Sequence, residues 1–593
     1  MFCLGGPFFF LAAVPFALQP EPQEPAPSIL LPERTTELPE WAADNAKRRD
    51  PGFDQWRTEV LHSSAKPVIL PFFQALLEDS PRVEAYVHPS FTGIQGIRPA
   101  ELELLFDDGA IQVHRATSKS ILAMQGQATA SAAQGMLSFY KETDDLHPSL
   151  KLTQVWLRGD KHFTTRVVLH LSAHQGAAIL QTNMEWDVDW VIGASDDDVA
   201  IQEVRVLFYE EIRGSGRIFG DVTGATLSGI PFFKAEILRG TGEYQYKTDR
   251  LIGNSFIGAQ GIAIGDADGD GREDIYICQQ GGLPNRLYTH KKDGTVMDST
   301  KFSKTGFLDN TRSALFVDLD NDKDQDLAFS VGANLLIAWN NGSGLFTDLT
   351  PLNGPGSEDI YSISSADADG DGDLDLYAAR YVANGLIGGV PTPYHDADNG
   401  ASNIFWRNEG NRQFIDATEA AGFSMNNGKF SLASLWEDFD DDGDMDLYVT
   451  NDFGKNNFFI NEGGVFVDRA TELHAEDLAA GMGITVADTD LDGDLDLYVS
   501  NMFSAAGQRI VPQSAKFMSG ENQDVHKHYE RHARGNSLMI RNEDGTYSDV
   551  TMDARVAVGG WAWGAQFMDI NNDGLEDIYV PNGFVTNKDP DDL

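Results

Sequence analysis

The sequence predicts a mostly-β protein: a β-propeller of six blades, preceded by a smaller α+β domain. Three observations carry this expectation. An aspartate-rich loop recurs six times in the C-terminal part of the chain, beginning at Asp266, Asp318, Asp367, Asp438, Asp488 and Asp569. The steps between these starts are 52, 49, 71, 50 and 81 residues, and three of them lie near the length of one four-stranded blade. Each loop is flanked by strand-like apolar runs, whereas residues 50 to 215 lack the repeat.

Within each repeat the four strands can be taken in order. A first apolar strand precedes the loop, as in Ala314–Val317, Leu432–Trp436 and Ile484–Val486, and a second follows it, as in Leu376-Tyr377, Leu447–Val449 and Leu497–Val499. A third opens on asparagine: Asn285–Tyr288, Asn334–Ile337, Asn403–Trp406, Asn457–Ile460 and Asn536–Ile540. A polar turn leads to a fourth: Val296–Thr300, Phe346–Thr350, Phe414–Thr418, Phe466–Ala470 and Tyr547–Thr551. The sixth set has no third or fourth strand after Asp577. Phe232–Leu238 and Tyr244–Thr248 are expected to complete it, which would remove an exposed edge. A rival count takes Phe219–Thr223 as the fourth strand of a degenerate seventh blade. The two long steps place insertions between strands two and three, over about 381–401 and 503–535, hence on the face opposite the acidic loops.

Ahead of the repeats, Trp56 to Leu77 has apolar residues at three- and four-residue steps and predicts a helix interrupted at Pro67 and Pro71. Leu152–Trp156, Thr164–Leu171, Ala178–Trp186 and Ile201–Tyr209 predict strands, separated by turns at Gly159-Asp160 and from Gly193 to Asp196. The acidic run Asp196–Asp198 reads as a solvated turn. This order of elements resembles the nuclear-transport-factor-like fold, which implies a pocket. His114, His162, His170 and His174 are scattered through the region, and no catalytic pair can be picked from them.

The chain has 593 residues, 41% of them hydrophobic, and its formal net charge is −47. A composition of 91 acidic against 44 basic residues argues against nucleic acid as a partner and makes cations the natural counterpart. Phe2–Leu18 is almost wholly apolar and runs into a proline-rich stretch. This predicts a signal peptide over 1–18, a linker over 19–49 and a secreted, periplasmic or cell-surface location. A short membrane anchor is the competing reading; the missing Lys or Arg before the run makes the leader atypical, and no stable membrane span is expected. Cys3 and Cys278 are the two cysteines, so cleavage leaves no disulfide framework, and a divalent ion is the natural alternative for tying loops down.

The loops suit such an ion. Short carboxylates on alternate residues of a tight turn converge on one point, glycine permits the bend, and calcium takes six to eight oxygens at about 2.3–2.6 Å. Magnesium prefers strict octahedral geometry and suits the loop less. An EF-hand would need Glu at position twelve and flanking helices. The loops resemble those of the FG-GAP and VCBS repeat families, found in integrin α-subunit propellers and in cartilage acidic protein and its bacterial relatives. The resemblance covers residues 233 to 593. It implies one Ca2+ per loop, held by side chains at positions one, three, five and nine and by the carbonyl of position seven. In the first loop these are Asp266, Asp268, Asp270 and Asp274 with Arg272. In the second they are Asp318, Asp320, Asp322 and Asp326. The third has Asp367, Asp369, Asp371 and Asp375 with Asp373, the fourth Asp438, Asp440, Asp442 and Asp446 with Asp444, and the fifth Asp488, Asp490, Asp492 and Asp496 with Asp494. The sixth has Asp569, Asn571, Asp573 and Asp577 with Leu575. Lys323 replaces the usual glycine of the second loop, which ranks that site weakest.

The function expected from these features is a binding or adhesion module for an extracellular protein or glycan, engaged through the insertion face. Tyr394-His395 and the run His526–His532 are the distinctive residues there, and His528 and His532, four apart, share a helical face able to meet a transition metal. The alternative is an extracellular hydrolase or other enzyme acting in the N-terminal pocket or on the insertion face; no nucleophile–base motif, phosphate loop or zinc signature supports it.

Overall fold

The computed structural model describes residues 56–78, 80–95, 97–122, 126–127, 135–235, 260–356, 358–383, 391–513 and 522–581. The chain divides into two compact units between Gly216 and Arg217.

In the N-terminal unit Leu61, Ala65, Ile69, Phe72, Phe73 and Leu76 form the buried stripe of one helix, α1 (Arg57–Leu77). The expected interruption does not occur: Pro67 and Pro71 both lie inside α1. Each proline removes a backbone hydrogen bond, and burial of the stripe in the core, where Phe73 meets Trp186 edge to face, holds the helix together. By length and composition α1 is apolar enough to cross a membrane, yet its stripe belongs to the core of this unit. The strands are β1 (Gly93–Gln95), β2 (Glu103–Asp107), β3 (Ile111–Arg115), β4 (Gly126–Gln127), β5 (Asp144–Leu157), β6 (His162–Gln175), β7 (Ala178–Ile192) and β8 (Val199–Gly214). They form one sheet in the order β2-β3-β8-β7-β6-β5, with β1 parallel to β8 and antiparallel to β4. The four predicted strands fall inside β5 to β8. Asp196 is more than a solvated residue: Arg57 grips it with two hydrogen bonds of 2.8 and 2.9 Å, tying the β7–β8 turn to the start of α1.

The C-terminal unit is a propeller-like series of antiparallel four-stranded sheets, each with its strands in sequence order. The first strands are Ile262–Gly265, Ala314–Val317, Glu358–Ala366, Ser431–Glu437 and Gly481–Ala487, and the second are Asp274–Ile277, Asp326–Val331, Asp375–Ala383, Asp446–Asn451 and Asp496–Asn501. Third strands run Arg286–His290, Asn334–Trp339, Ile404–Asn408, Asn457–Asn461 and Ser537–Arg541; fourth strands run Val296–Asp298, Asp348–Leu352, Phe414–Asp416, Phe466–Asp468 and Tyr547–Asp549. Among the described residues the sixth repeat is a two-stranded hairpin, Gln566–Met568 with Asp577–Tyr579.

A tyrosine on the second strand explains the asparagine before the third. Asn456 and Asn536 donate their amide to the Tyr448 and Tyr498 hydroxyls at 3.2 and 2.8 Å, while their carbonyls accept from Asn451 and Asn501 backbone nitrogens. Each tyrosine hydroxyl then donates onward to a main-chain carbonyl in the link to the next repeat, Ala475 at 2.7 Å and Val556 at 2.9 Å. A fully buried ring thereby keeps its polar tip satisfied. In the fourth repeat this asparagine is Asn456, one residue before the predicted Asn457.

Two expectations about the segment before the first repeat fail. Phe219–Thr223 is not a strand; it leads into a short helix, Thr223–Leu227, and the Asp221 carboxylate accepts the Thr223 backbone N–H. The described part of Phe232–Leu238 is a turn, and Phe233 packs with Tyr288 and Val296 of the first repeat. Tyr244–Thr248 lies outside the described residues. Phe219 instead meets Tyr579 of the sixth repeat, ring centres 6.0 Å apart.

Candidate functional site

Each acidic loop is wound by its own carboxylates. The carboxylate at position one accepts the backbone N–H groups of positions five and six, as Asp266 does from Asp270 and Gly271 at 3.0 and 2.8 Å, except in the third loop, where Asp367 accepts from Gly372 at position six and its other oxygen has no partner. Position five accepts the N–H of position seven, as Asp371 does from Asp373 at 2.9 Å. The ninth aspartate is fully buried and bridges two elements: in Asp375 one oxygen accepts from Ala368 at position two and the other from Asn408 at the end of the third strand, at 3.0 and 2.8 Å. The same bridge recurs at Asp274, Asp326, Asp446 and Asp496.

These bonds leave oxygens over. Positions one, three and nine gather in the first, second and fourth loops, and positions one, three and five in the third and fifth, each trio with carboxylate oxygens within 4.8 Å of one another. One oxygen each of Asp268, Asp320, Asp324, Asp367 and Asp444 is buried with no hydrogen-bond partner. Burial, reinforced by the neighbouring carboxylates, pushes Asp326, Asp375 and Asp446 up to about 7 and Asp324 and Asp444 up to about 6. Converging, desolvated, unpartnered carboxylate oxygens fit a hard cation, which would satisfy the lone pairs and cancel the repulsion. The sixth loop places Asp569, Asn571 and Asp573 in the same turn, with Asn571 hydrogen-bonded to Asp573.

The second loop bends despite its lysine. Lys323 takes φ +78 where Gly271, Gly372, Gly443, Gly493 and Gly574 take +81 to +101. Arg412 places its guanidinium 2.6 Å from the position-three carboxylate of Asp320 and over the Trp339 ring; in the first loop Arg272 pairs with Asp270, and in the third Arg407 lies 3.7 Å from Asp369. Arg541 likewise reaches Asp494 and, in the preceding loop, Asp441. Position four is left-handed as well, in Gly269, Asn321, Gly370, Asp441, Leu491 and Asn572.

Neighbouring loops are also tied directly. The side-chain amide of Asn408 donates to the Leu319 carbonyl of the preceding loop at 2.8 Å and to Leu374 of its own at 3.2 Å. Asn340 holds Ala267 and Gln325 in the same way, and Asn461 holds Ala368 and Met445. These asparagines had no role in the sequence reading; an Asn at the end of the third strand in the second, third and fourth repeats was the available signal, with His290 and Arg541 standing at that position in the first and fifth.

At the opposite end of the sheets the two insertions meet. The second carries a helix, α2 (Gln523–Ala533), capped by the Asn522 side chain accepting from Asp524 and Val525. Tyr394 of the first insertion stacks on Tyr529 of α2, ring centres 6.1 Å apart, and His395 lies 5.7 Å from His528. Phe453, from the short connection of the fourth repeat, sits beneath them, edge-on to Tyr394 at 4.9 Å, with φ +60, a strained conformation for a bulky side chain. Its neighbour Asp452 accepts from the Tyr381 hydroxyl, and burial pushes that carboxyl up to about 7. In the N-terminal unit His162, His170 and His174 share β6 while His114 is on β3; His170 bonds to Asn183 at 2.9 Å.

A search of curated proteins finds no match. A lectin structure from Agrocybe aegerita, described as recognising non-reducing terminal N-acetylglucosamine, aligns with 54% of this chain and 74% of its own length, at 16% identity and a TM-score of 0.32; a likeness at that level supports no inference about this chain. A family model for the FG-GAP-like repeat matches residues 266–329, 318–378 and 438–499, spans that begin at the first, second and fourth acidic loops. With those matches set beside loops that gather their carboxylates in register, the matched stretches, residues 266–378 and 438–499, are FG-GAP-like repeats.

Proposed function

We propose that the chain is an exported, calcium-stabilised propeller that acts as a binding module for an extracellular protein or glycan. Calcium fills the acidic loops and stiffens the row of sheets, and the insertion face meets the partner. The observation that carries this reading is the contact of the two insertions across the fourth repeat, Tyr394 on Tyr529, on the face away from the loops. Aromatic side chains on a rigid scaffold are the kind of group that dominates recognition surfaces. The partial neutralisation expected in the second loop, where Arg412 already holds Asp320, makes it the weakest of the calcium sites.

The test has two parts. Titration of the metal-stripped chain with calcium should raise its unfolding temperature by mass action; no shift at millimolar calcium sinks the structural-ion reading. A glycan array and a panel of extracellular matrix proteins, probed with the native chain and with Tyr394→Ala, should then give a ligand whose binding the substitution weakens about tenfold or more. Ligand binding that is indifferent to Tyr394→Ala places recognition elsewhere on the chain.

A further inference from the structure

Four of the chain's 13 histidines lie on the two insertions: His395 on the first and His526, His528 and His532 on α2. Three of them come together. The His532 ring, 6% exposed, donates one N–H to the main-chain carbonyl of His395, which fixes its tautomer; its Nε2 is then a lone-pair donor, buried and without a partner. His528, one turn earlier, buries an unpartnered Nδ1, and its ring lies 5.7 Å from that of His395 at an angle of 35°. A buried polar atom with nothing to bond is costly, and two such atoms on one helical face beside a third imidazole ask for a common partner.

We propose that His395, His528 and His532 form a transition-metal site of the zinc class that joins the two insertions. Imidazole nitrogen suits zinc, copper and nickel, whereas calcium takes oxygen, so this centre is chemically distinct from the acidic loops. Two imidazoles bound to one tetrahedral zinc at about 2.0–2.1 Å have ring centres roughly 5 Å apart, close to the spacing of His395 and His528. The three nitrogens do not meet at one point in the metal-free arrangement, and binding turns the half-buried His395 ring toward α2. Burial, with the neighbouring His395 and Lys455, holds His528 below the ordinary histidine range, and burial, with Arg531 and the other two imidazoles, holds His532 at about 4, so both are unprotonated at neutral pH, as a ligand must be. Three protein ligands leave one coordination position for water or for a donor atom of whatever binds this face.

The experiment uses the full chain without a polyhistidine tag, stripped of metal and then saturated with calcium so that the acidic loops are filled. Titration with Co2+, followed by its visible absorption, and with Zn2+, followed by calorimetry, should show one equivalent bound and a tetrahedral cobalt spectrum. His395→Ala and His528→Ala should each weaken binding at least about tenfold, while His162→Ala, at an exposed position in the N-terminal unit, should not change it. His395 stands on a loop, so its variant keeps the test decisive if His528→Ala fails to fold. Absence of stoichiometric binding, binding untouched by His395→Ala and His528→Ala, or binding that excess calcium displaces would each overturn the site.

Discussion

At the acidic end every repeat presents the same nine-residue loop, while at the other end the third and fifth repeats carry insertions that share no pattern with each other. The loop end is defined by backbone geometry: alternating carboxylates, left-handed turns at positions four and six, and a ninth aspartate that bridges to the third strand. The insertion end is defined by side chains that occur once, Tyr394, His395, Phe453 and the α2 face. One end repeats the same loop in every sheet; the other carries residues that occur once, some of them tied to the sheets, as Arg531 is to Asp477 and Ser537 and Asp396 to Lys429. Stability should therefore respond to changes at the loops and recognition to changes at the insertions.

Chelation of calcium should have the largest effect on stability. A site occupied at about one hundred times its dissociation constant contributes about 2.7 kcal/mol, and several sites in one unit should lower its Tm steeply when stripped, as scanning calorimetry with and without chelator would show. Equal traces would break the comparison at its root.

Next in size is Asp375→Ala, which deletes a candidate ligand and strands the buried Ala368 and Asn408 N–H groups. A loss of about 3 kcal/mol in denaturant unfolding is expected in calcium. A cost below about 0.5 kcal/mol would show that the ninth aspartate is not a bridge.

The pH response should change sign with the ion. Asp326, Asp375 and Asp446 stand near 7 when folded and metal-free, above the ordinary aspartate range. Between those limits the folded chain binds more protons than the unfolded one, so their contribution to stability is full in acid and is lost as pH rises through about 7. In chelator, raising the pH from 5 to 8 should lower the Tm relative to a variant with all three changed to Asn; in calcium the difference should vanish or reverse.

The smallest effects sharpen the picture of the turn. Lys323→Gly and Leu491→Gly relieve left-handed non-glycine residues and should each stabilise the chain by about 1 kcal/mol. Tyr394→Ala should leave the calcium-induced rise in Tm unchanged, since it touches no loop.

Much of the repeat was legible because its strands alternate apolar residues around a loop of fixed spacing, and the ends of the second and third strands recur on Leu-Tyr and Asn. The failures have physical causes. The Asp-x-Thr pattern that marks the end of fourth strands encodes a turn: Asp298, Asp416 and Asp549 accept the N–H groups of Thr300, Thr418 and Thr551. Asp221 and Thr223 make the same turn with no strand before it, so Phe219–Thr223 looked like a strand. The left-handed position four was hidden because Gly, Asn, Asp and Leu all occupy it. Pro67 and Pro71 announced a break that core packing overrides, and Arg412 reaches Asp320 from 92 residues away, beyond any local pattern.

The asparagine ties between loops have a thermodynamic consequence. Because Asn408 holds a carbonyl of its own loop and one of the loop before, with Asn340 and Asn461 doing the same on either side, tightening one loop around an ion reduces the freedom its neighbour must give up. Occupancy would then spread along the row as in a one-dimensional lattice with nearest-neighbour coupling. Such a row fills and empties over a narrower range of calcium than independent sites, so the stiffness of the whole array would report calcium concentration as a threshold.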